Sequence, residues 1–192
     1  MLLNGVRAGS IAGGNRIKGE TGAGCAKGEG TMSVSLRESL PLVSDPRHLD
    51  ASVEEVFRLM LGIECERSAG PLSVLKDTVT AVVGFGGALS GACVFRLSGK
   101  TAVRVVGQMT GMEMTEIDDT VKDGIGEICN MLAGAWKGKV PAMAANTGLS
   151  VPAVITGRDY SLHVQAPEFQ IHHVYRFEEE TFEVTIVCDG MM

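Results

Sequence analysis

From about Thr115 to Lys139 apolar residues recur at a helical period, and this stretch constrains the fold more than any other in the chain. At about 100° per residue, Ile117, Val121, Ile125, Ile128, Leu132 and Ala135 fall on one stripe. A helix carrying such a stripe has to be laid against a sheet or against other helices. Asp123, Glu127, Asn130 and Gly134 fall on the opposite stripe, which makes Glu127 and Asn130 neighbours on one exposed face. Gly126 and Gly134 flank the pair without side chains, although each costs roughly 1 kcal/mol of helix propensity relative to alanine. Bare backbone beside a polar pair leaves room for another molecule to come close. Taken alone, the tetrapeptide reads as a solvated helix face, so its context decides.

Composition narrows that context. The chain has 192 residues, 45% of them hydrophobic and 21% charged, which describes a globular protein able to bury a sizeable core. No apolar run approaches the roughly 18 residues that a membrane span requires, so no membrane role is expected. The five cysteines (Cys25, Cys65, Cys93, Cys129, Cys188) are scattered, odd in number and without CxxC or Cys/His ligand spacing. They read as buried small hydrophobes in a reducing, cytoplasmic compartment, with no metal site. The first 31 residues are Gly-rich and aperiodic, with four basic and two acidic residues; the rest carries 13 basic against 21 acidic, a formal charge of −8. An acidic body without a basic stripe argues against nucleic acid. Residues 1–43 read as a disordered tail, with Met32 as an alternative start, and residues 44–192 as the folded domain. The run Gly22–Gly28 has the wrong spacing for a phosphate loop and follows no strand.

Punctuation within the domain gives an element order. Asp50 or Ser52 can cap a first helix running to about Leu61, with Ser52 and Glu55 as a capping box and Gly62 as its stop. Its apolar stripe is Val53, Val56, Phe57, Met60 and Leu61. Two strand-like runs, Thr78–Phe85 and Leu89–Leu97, flank Gly86-Gly87 as a hairpin. Ser98 caps a second helix from Gly99 to Met109, ended by Gly111, and the long amphipathic helix follows. Four further strands are expected at Leu149–Thr156, Tyr160–Gln165, Phe169–Phe177 and Thr181–Cys188, with Glu178–Glu180 as a solvated turn. Grouped elements of this kind indicate an α+β fold, an antiparallel sheet with helices on one face. The first helix offers only Glu55-Val-Phe-Arg58 at the spacing of the polar pair, so a single site is expected.

The pattern Asp/Ser-x3-Glu-x2-Asn, followed later by a proline opening a strand, resembles the signature of the CheC/CheX/FliY phosphatases. It reads here Asp123, Glu127, Asn130 and Pro152, with Pro152 inside the run Gly148–Gly157. The segment Val53–Glu64 is similar to the first helix of CheX-type members, and the likeness spans roughly residues 47–189. A single copy of the pair points to the CheX branch, since CheC members usually carry two. The resemblance implies a phosphatase acting on the aspartyl phosphate of a CheY-like response-regulator receiver. Asn130 would orient the attacking water, and Glu127 would pair with the receiver's active-site lysine. Asp123 would tune Glu127 or face the partner, the bare surface at Gly126 and Gly134 would face the partner and let the pair enter its phosphate pocket, and Pro152 would shape the strand entry. The chain would bind no cofactor of its own, because Mg2+ belongs to the receiver, and it would form a homodimer. Two other readings keep the same fold: an adaptor that docks on the receiver without catalysis, and a structural subunit of the flagellar-switch type.

Outside the motif, His172 and His173 are adjacent in a strand, so their side chains point to opposite faces and cannot share a site. Cys129 reads as a core thiol and Trp136 as a core anchor.

Overall fold

The computed structural model describes residues 39–70, 77–158, 160, 163 and 167–191. The expected tail over residues 1–43 falls, for residues 1–38, outside these. Residues 40–43 form a short helix, α1 (Leu40–Val43), whose Val43 is fully buried. Four longer segments carry the helical layer: α2 (Pro46–Val56), α3 (Gly99–Thr110), α4 (Asp119–Gly138) and the short α5 (Pro141–Asn146). Among the described residues the sheet has seven strands: β1 (Glu66–Ser68), β2 (Thr78–Gly87), β3 (Leu89–Ser98), β4 (Thr147–Leu149), β5 (Ala153–Gly157), β6 (Phe169–Phe177) and β7 (Glu180–Met191). Their order is β1-β6-β7-β3-β2-β4, with β5 also on β2, and every pairing is antiparallel.

Alternation along the strands puts Val79, Ala81, Val83 and Phe85 of β2, Cys93, Phe95 and Leu97 of β3, and Phe182, Val184 and Ile186 of β7 on the helix side, all buried. At its centre lies a nest of rings. Phe57 stacks on Phe182 with centroids 4.4 Å apart and planes 3° apart, and Phe95 meets both edge-on at 6.3 and 5.5 Å. The expected fold class, an antiparallel sheet with helices on one face, is the one observed.

Several boundaries differ, each for a local reason. The first helix begins four residues before the earlier of its expected caps, because Pro46 supplies a ready-made first-turn φ and the Asp45 carboxylate accepts from the Arg47 N–H at 3.0 Å. Ser52 is therefore buried mid-helix, its hydroxyl donating to the His48 carbonyl at 2.7 Å, and makes no capping box. The last turn, Phe57–Leu61, is a π-turn ending at Gly62 with φ 64°. Its wider winding rotates Met60 off the expected apolar stripe and leaves it 49% exposed. The long helix starts at Asp119, capped by the Asp118 carboxylate on the Val121 N–H at 2.8 Å, so Ile117 precedes it. The strand expected over Leu149–Thr156 is two strands broken at residues 150–152. The strand expected over Tyr160–Gln165 lies mostly outside the described residues. β1 was not expected, since three residues show no period. Glu180 is not part of a solvated turn: it is 5% exposed, opens β7, and accepts from the Thr101 hydroxyl at 2.8 Å and Lys100 Nζ at 2.7 Å.

His172 and His173 do face opposite ways. His172 meets Thr185 on the open face, while His173, 5% exposed, lies under α2 with its Nδ1 2.8 Å from Asp50 Oδ1; the Tyr175 hydroxyl donates to the same oxygen at 2.8 Å. Burial holds the His173 pKa below its ordinary 6.5, against the opposing pull of Asp50. In the window between that lowered value and 6.5 the unfolded chain binds the extra proton more readily than the folded one. Stability is therefore complete above pH 6.5 and falls as pH drops below it. Melting temperatures measured from pH 7.5 downwards should decline across this window, and a His173→Gln variant should lose that part of the slope. A wild-type melting temperature flat in this range would contradict the assignment.

Candidate active site on α4

The local sequence makes α4 a helix held on three sides and bare on the fourth. Below, Val121, Ile125, Ile128 and Leu132 are fully buried against the sheet. The Cys129 thiol donates to the carbonyls of Ala81 (3.5 Å) and Cys93 (3.6 Å), on β2 and β3, and Trp136 packs on Phe85 at 5.3 Å. Both residues are core, as expected. At the C-terminal end, Lys139 Nζ reaches Glu55 of α2 at 2.6 Å and Lys137 donates to the Thr147 carbonyl.

The two flanks are set by glycines. A methyl group at Gly124 would sit 2.8 Å from both Cγ atoms of Val106, so α3 packs against bare backbone. At Gly126 a methyl group would stand 3.3 Å from Pro152 Cβ and 3.4 Å from Val154 Cγ2. Gly126 is therefore buried under the β4–β5 junction, and the expectation that it leaves open helix surface is corrected. Pro152 comes this close because the strand breaks just before it. The Ser150 N–H donates to the Gly84 carbonyl and the Gly84 N–H to Ser150 Oγ, both at 2.9 Å, which turns Val151 outward at 86% exposure and lays Pro152 on the helix. Gly134 is the open one: a methyl group there meets nothing within 4 Å.

These contacts give a direct comparison. Gly124→Ala gains roughly 1 kcal/mol of helix propensity, but overpacking against a branched, immobile valine costs typically 1–3 kcal/mol. Gly134→Ala collects the propensity gain alone. In thermal melts Gly124→Ala should unfold below wild type and Gly134→Ala above it; the reverse order would rule out this packing.

On the bare side stand the polar residues. Asp123 and Glu127 are exposed and Asn130 is half-buried. At i, i+3 the Glu127 and Asn130 Cβ atoms are about 5–6 Å apart. Among the described residues neither side chain, nor that of Asp123, has a hydrogen-bond partner. The nearby cation, Lys122, is engaged by Asp119 at 2.9 Å. Beside them lies a cavity of about 240 Å³ lined by Lys122, Asp123, Gly126, Glu127, Pro152 and Val154. A carboxylate and a carboxamide held without internal partners on a well-fixed helix are available to a second molecule. Pro152 stands in the sequence motif, but nothing in the sequence marks the break at residues 150–152 that makes this wall, because the run reads as one continuous strand. The glycines on either side of Ile125 mark a close approach to the helix without saying what approaches.

A second cavity, about 570 Å³, lies elsewhere, between the end of α2, β1 and β6. Its charges are mixed, Arg176 pairs with Glu66 at 3.0 Å, and burial pushes its Cys65 thiol up to about 12, which leaves no nucleophile there. Among the described residues no group of three or more His, Cys, Asp or Glu side chains is placed to hold a metal ion. No described helix is long and apolar enough to cross a membrane.

Residues 79–173 match the family model described as chemotaxis phosphatase CheX. The CheY-P phosphatase CheX of Thermotoga maritima is 32% identical over 119 residues, covering 59% of this chain and 76% of that protein. The chain belongs to the CheX family. CheX of Vibrio vulnificus superposes with a TM-score of 0.65 at 19% identity, covering 76% of this chain and 97% of that one. The CheX–CheY–BeF3–Mg2+ complex of Borrelia burgdorferi matches with a TM-score of 0.58 at 20% identity, over 75% and 97% of the two chains. These two structural likenesses concern the CheX fold.

Proposed function

We propose that this chain hydrolyses the aspartyl phosphate of a CheY-like receiver domain, with Asn130 and Glu127 as the working pair. The observation that carries the reading is the unpartnered Glu127–Asn130 pair on the one bare side of α4, in a chain 32% identical to a CheY-P phosphatase. An acyl phosphate has a carboxylate as leaving group, and phosphoryl transfer is loose, so catalysis needs positioning more than a strong base. The Asn130 carboxamide can accept a hydrogen bond from the attacking water through Oδ1 or donate one to it through Nδ2, fixing the water in line with phosphorus. The water oxygen bonds to phosphorus as the bond to the receiver's aspartyl oxygen breaks, and the released proton passes to phosphate or solvent. Glu127, as a carboxylate, pairs with a lysine beside the receiver's phosphate site and sets the depth of α4 against it.

Mg2+ in this reading is the receiver's own, in keeping with the Borrelia complex, whose CheX is joined to CheY with beryllofluoride and Mg2+. The reaction takes place in the cytoplasm, and the protein acts as a homodimer, which light scattering on the purified chain tests directly.

The decisive experiment is a panel of phosphorylated receivers from the same cell, scored for faster phosphate loss with catalytic amounts of protein. At least one receiver should decay faster, and Glu127→Ala should raise KM and lower kcat for it. A wild-type protein that binds a phosphorylated receiver without speeding its decay would establish the adaptor reading instead.

A further inference from the structure

The cavity beside α4 is chemically two-sided. One wall is made by the exposed carboxylates of Asp123 and Glu127, unpartnered among the described residues; the other is Pro152 and Val154. Lys122 lies at its edge but is already engaged by Asp119. A volume of about 240 Å³ admits one long side chain and no helix or strand. Two carboxylates one helical turn apart, with no third donor, make a poor seat for a divalent cation. They suit an extended side chain whose aliphatic stem lies on an apolar wall while its cationic head meets the acids.

Place along the helix separates this seat from the chemistry. Asp123 lies seven residues before Asn130, a rise of about 10 Å. A group held at the Asp123 end therefore meets the rim of the receiver rather than its phosphate pocket. Resting on the phosphatase reading, we propose that this cavity seats a lysine or arginine from the receiver's rim. Its stem lies on Pro152 and Val154, its head on Asp123 with Glu127 beside it. Within the seat, Asp123 selects which receiver docks and takes no part in phosphoryl transfer, which stays with Glu127 and Asn130. Gly126 keeps the Pro152 wall close: a methyl group there would stand 3.3 Å from Pro152 Cβ and would press the wall away from the acids.

Steady-state kinetics on the most responsive phosphorylated receiver of the panel test this. Asp123→Asn, an exposed isosteric change that leaves the melting temperature in place, should raise KM about 3- to 10-fold at low salt with kcat retained. It should also flatten the fall of kcat/KM with ionic strength. Val154→Thr should raise KM without changing that salt dependence. Receiver variants with single rim Lys or Arg changed to Glu should include one whose weakened docking is restored by Asp123→Lys. Asp123→Asn with unchanged KM and salt dependence, while Asn130→Ala still abolishes turnover, overturns the seat and leaves the phosphatase reading standing. An Asp123→Asn effect on kcat alone overturns it too, since Asp123 would then serve the chemistry. A wild-type protein that neither binds nor accelerates any receiver, beryllofluoride-loaded receivers included, removes both.

Discussion

Asn130→Ala should lower kcat on the order of 10²-fold while the receiver still binds within about twofold of wild type, because misplacing a reacting water costs rate rather than affinity. The asymmetry follows from the position of the side chain. Asn130 is half-buried on the bare face of α4 with no hydrogen-bond partner among the described residues, and its loss removes no hydrogen bond of the fold. What disappears is the donor–acceptor pair that holds one water in line. Asn130→Asp should fail as well, since a carboxylate brings negative charge against the phosphoryl oxygens and cannot donate. Rapid-mix phosphate release under single-turnover conditions, paired with binding of the beryllofluoride-loaded receiver, separates the two quantities. If Asn130→Ala retained wild-type turnover, the water would have to be held by some other group, and the site as drawn would be wrong.

Phe182→Ala carries the largest expected effect on stability, about 3–5 kcal/mol, the range for deleting a buried aromatic and leaving its cavity. Phe182 is fully buried, stacked on Phe57 and Tyr175 and edge-on to Phe95, so its removal unseats rings from the π-turn after α2, from β3 and from β6 together. None of these rings belongs to α4. The variant should melt roughly 6–20 °C lower, at about 2–4 °C per kcal/mol for a domain of this size. Whatever folds at low temperature should keep nearly normal kcat. A loss of kcat larger than the unfolded fraction explains would mean that the aromatic nest is coupled to the site.

How far the sequence alone reached can be traced residue by residue. The strands Thr78–Phe85, Leu89–Leu97, Phe169–Phe177 and Thr181–Cys188 stood out because their buried face alternates cleanly with the open one. Ser98, Gly62 and Gly111 were found as caps because hydroxyl capping and left-handed backbone are local requirements. What escaped depends on contacts distant in the chain. The break at residues 150–152 is held by Gly84, and the burial of Glu180 is made by Lys100 and Thr101 on α3. Met60 went astray because a π-turn does not follow the helical period. At the site, Glu127, Asn130 and Asp123 were visible from their shared stripe. The burial of Gly126 was not, since a glycine reads the same whether it faces a partner or a neighbouring proline.

The two glycines flanking Ile125 settle which molecule must bend on docking. A helix gripped through bare backbone by Val106 on one side and Pro152 on the other has little freedom left to surrender. Binding therefore costs the backbone of α4 little ordering entropy, and the ordering on docking falls on its exposed side chains and on the partner. Hydrogen exchange during complex formation should accordingly slow in the receiver far more than along α4, whose amides are already protected before any partner arrives.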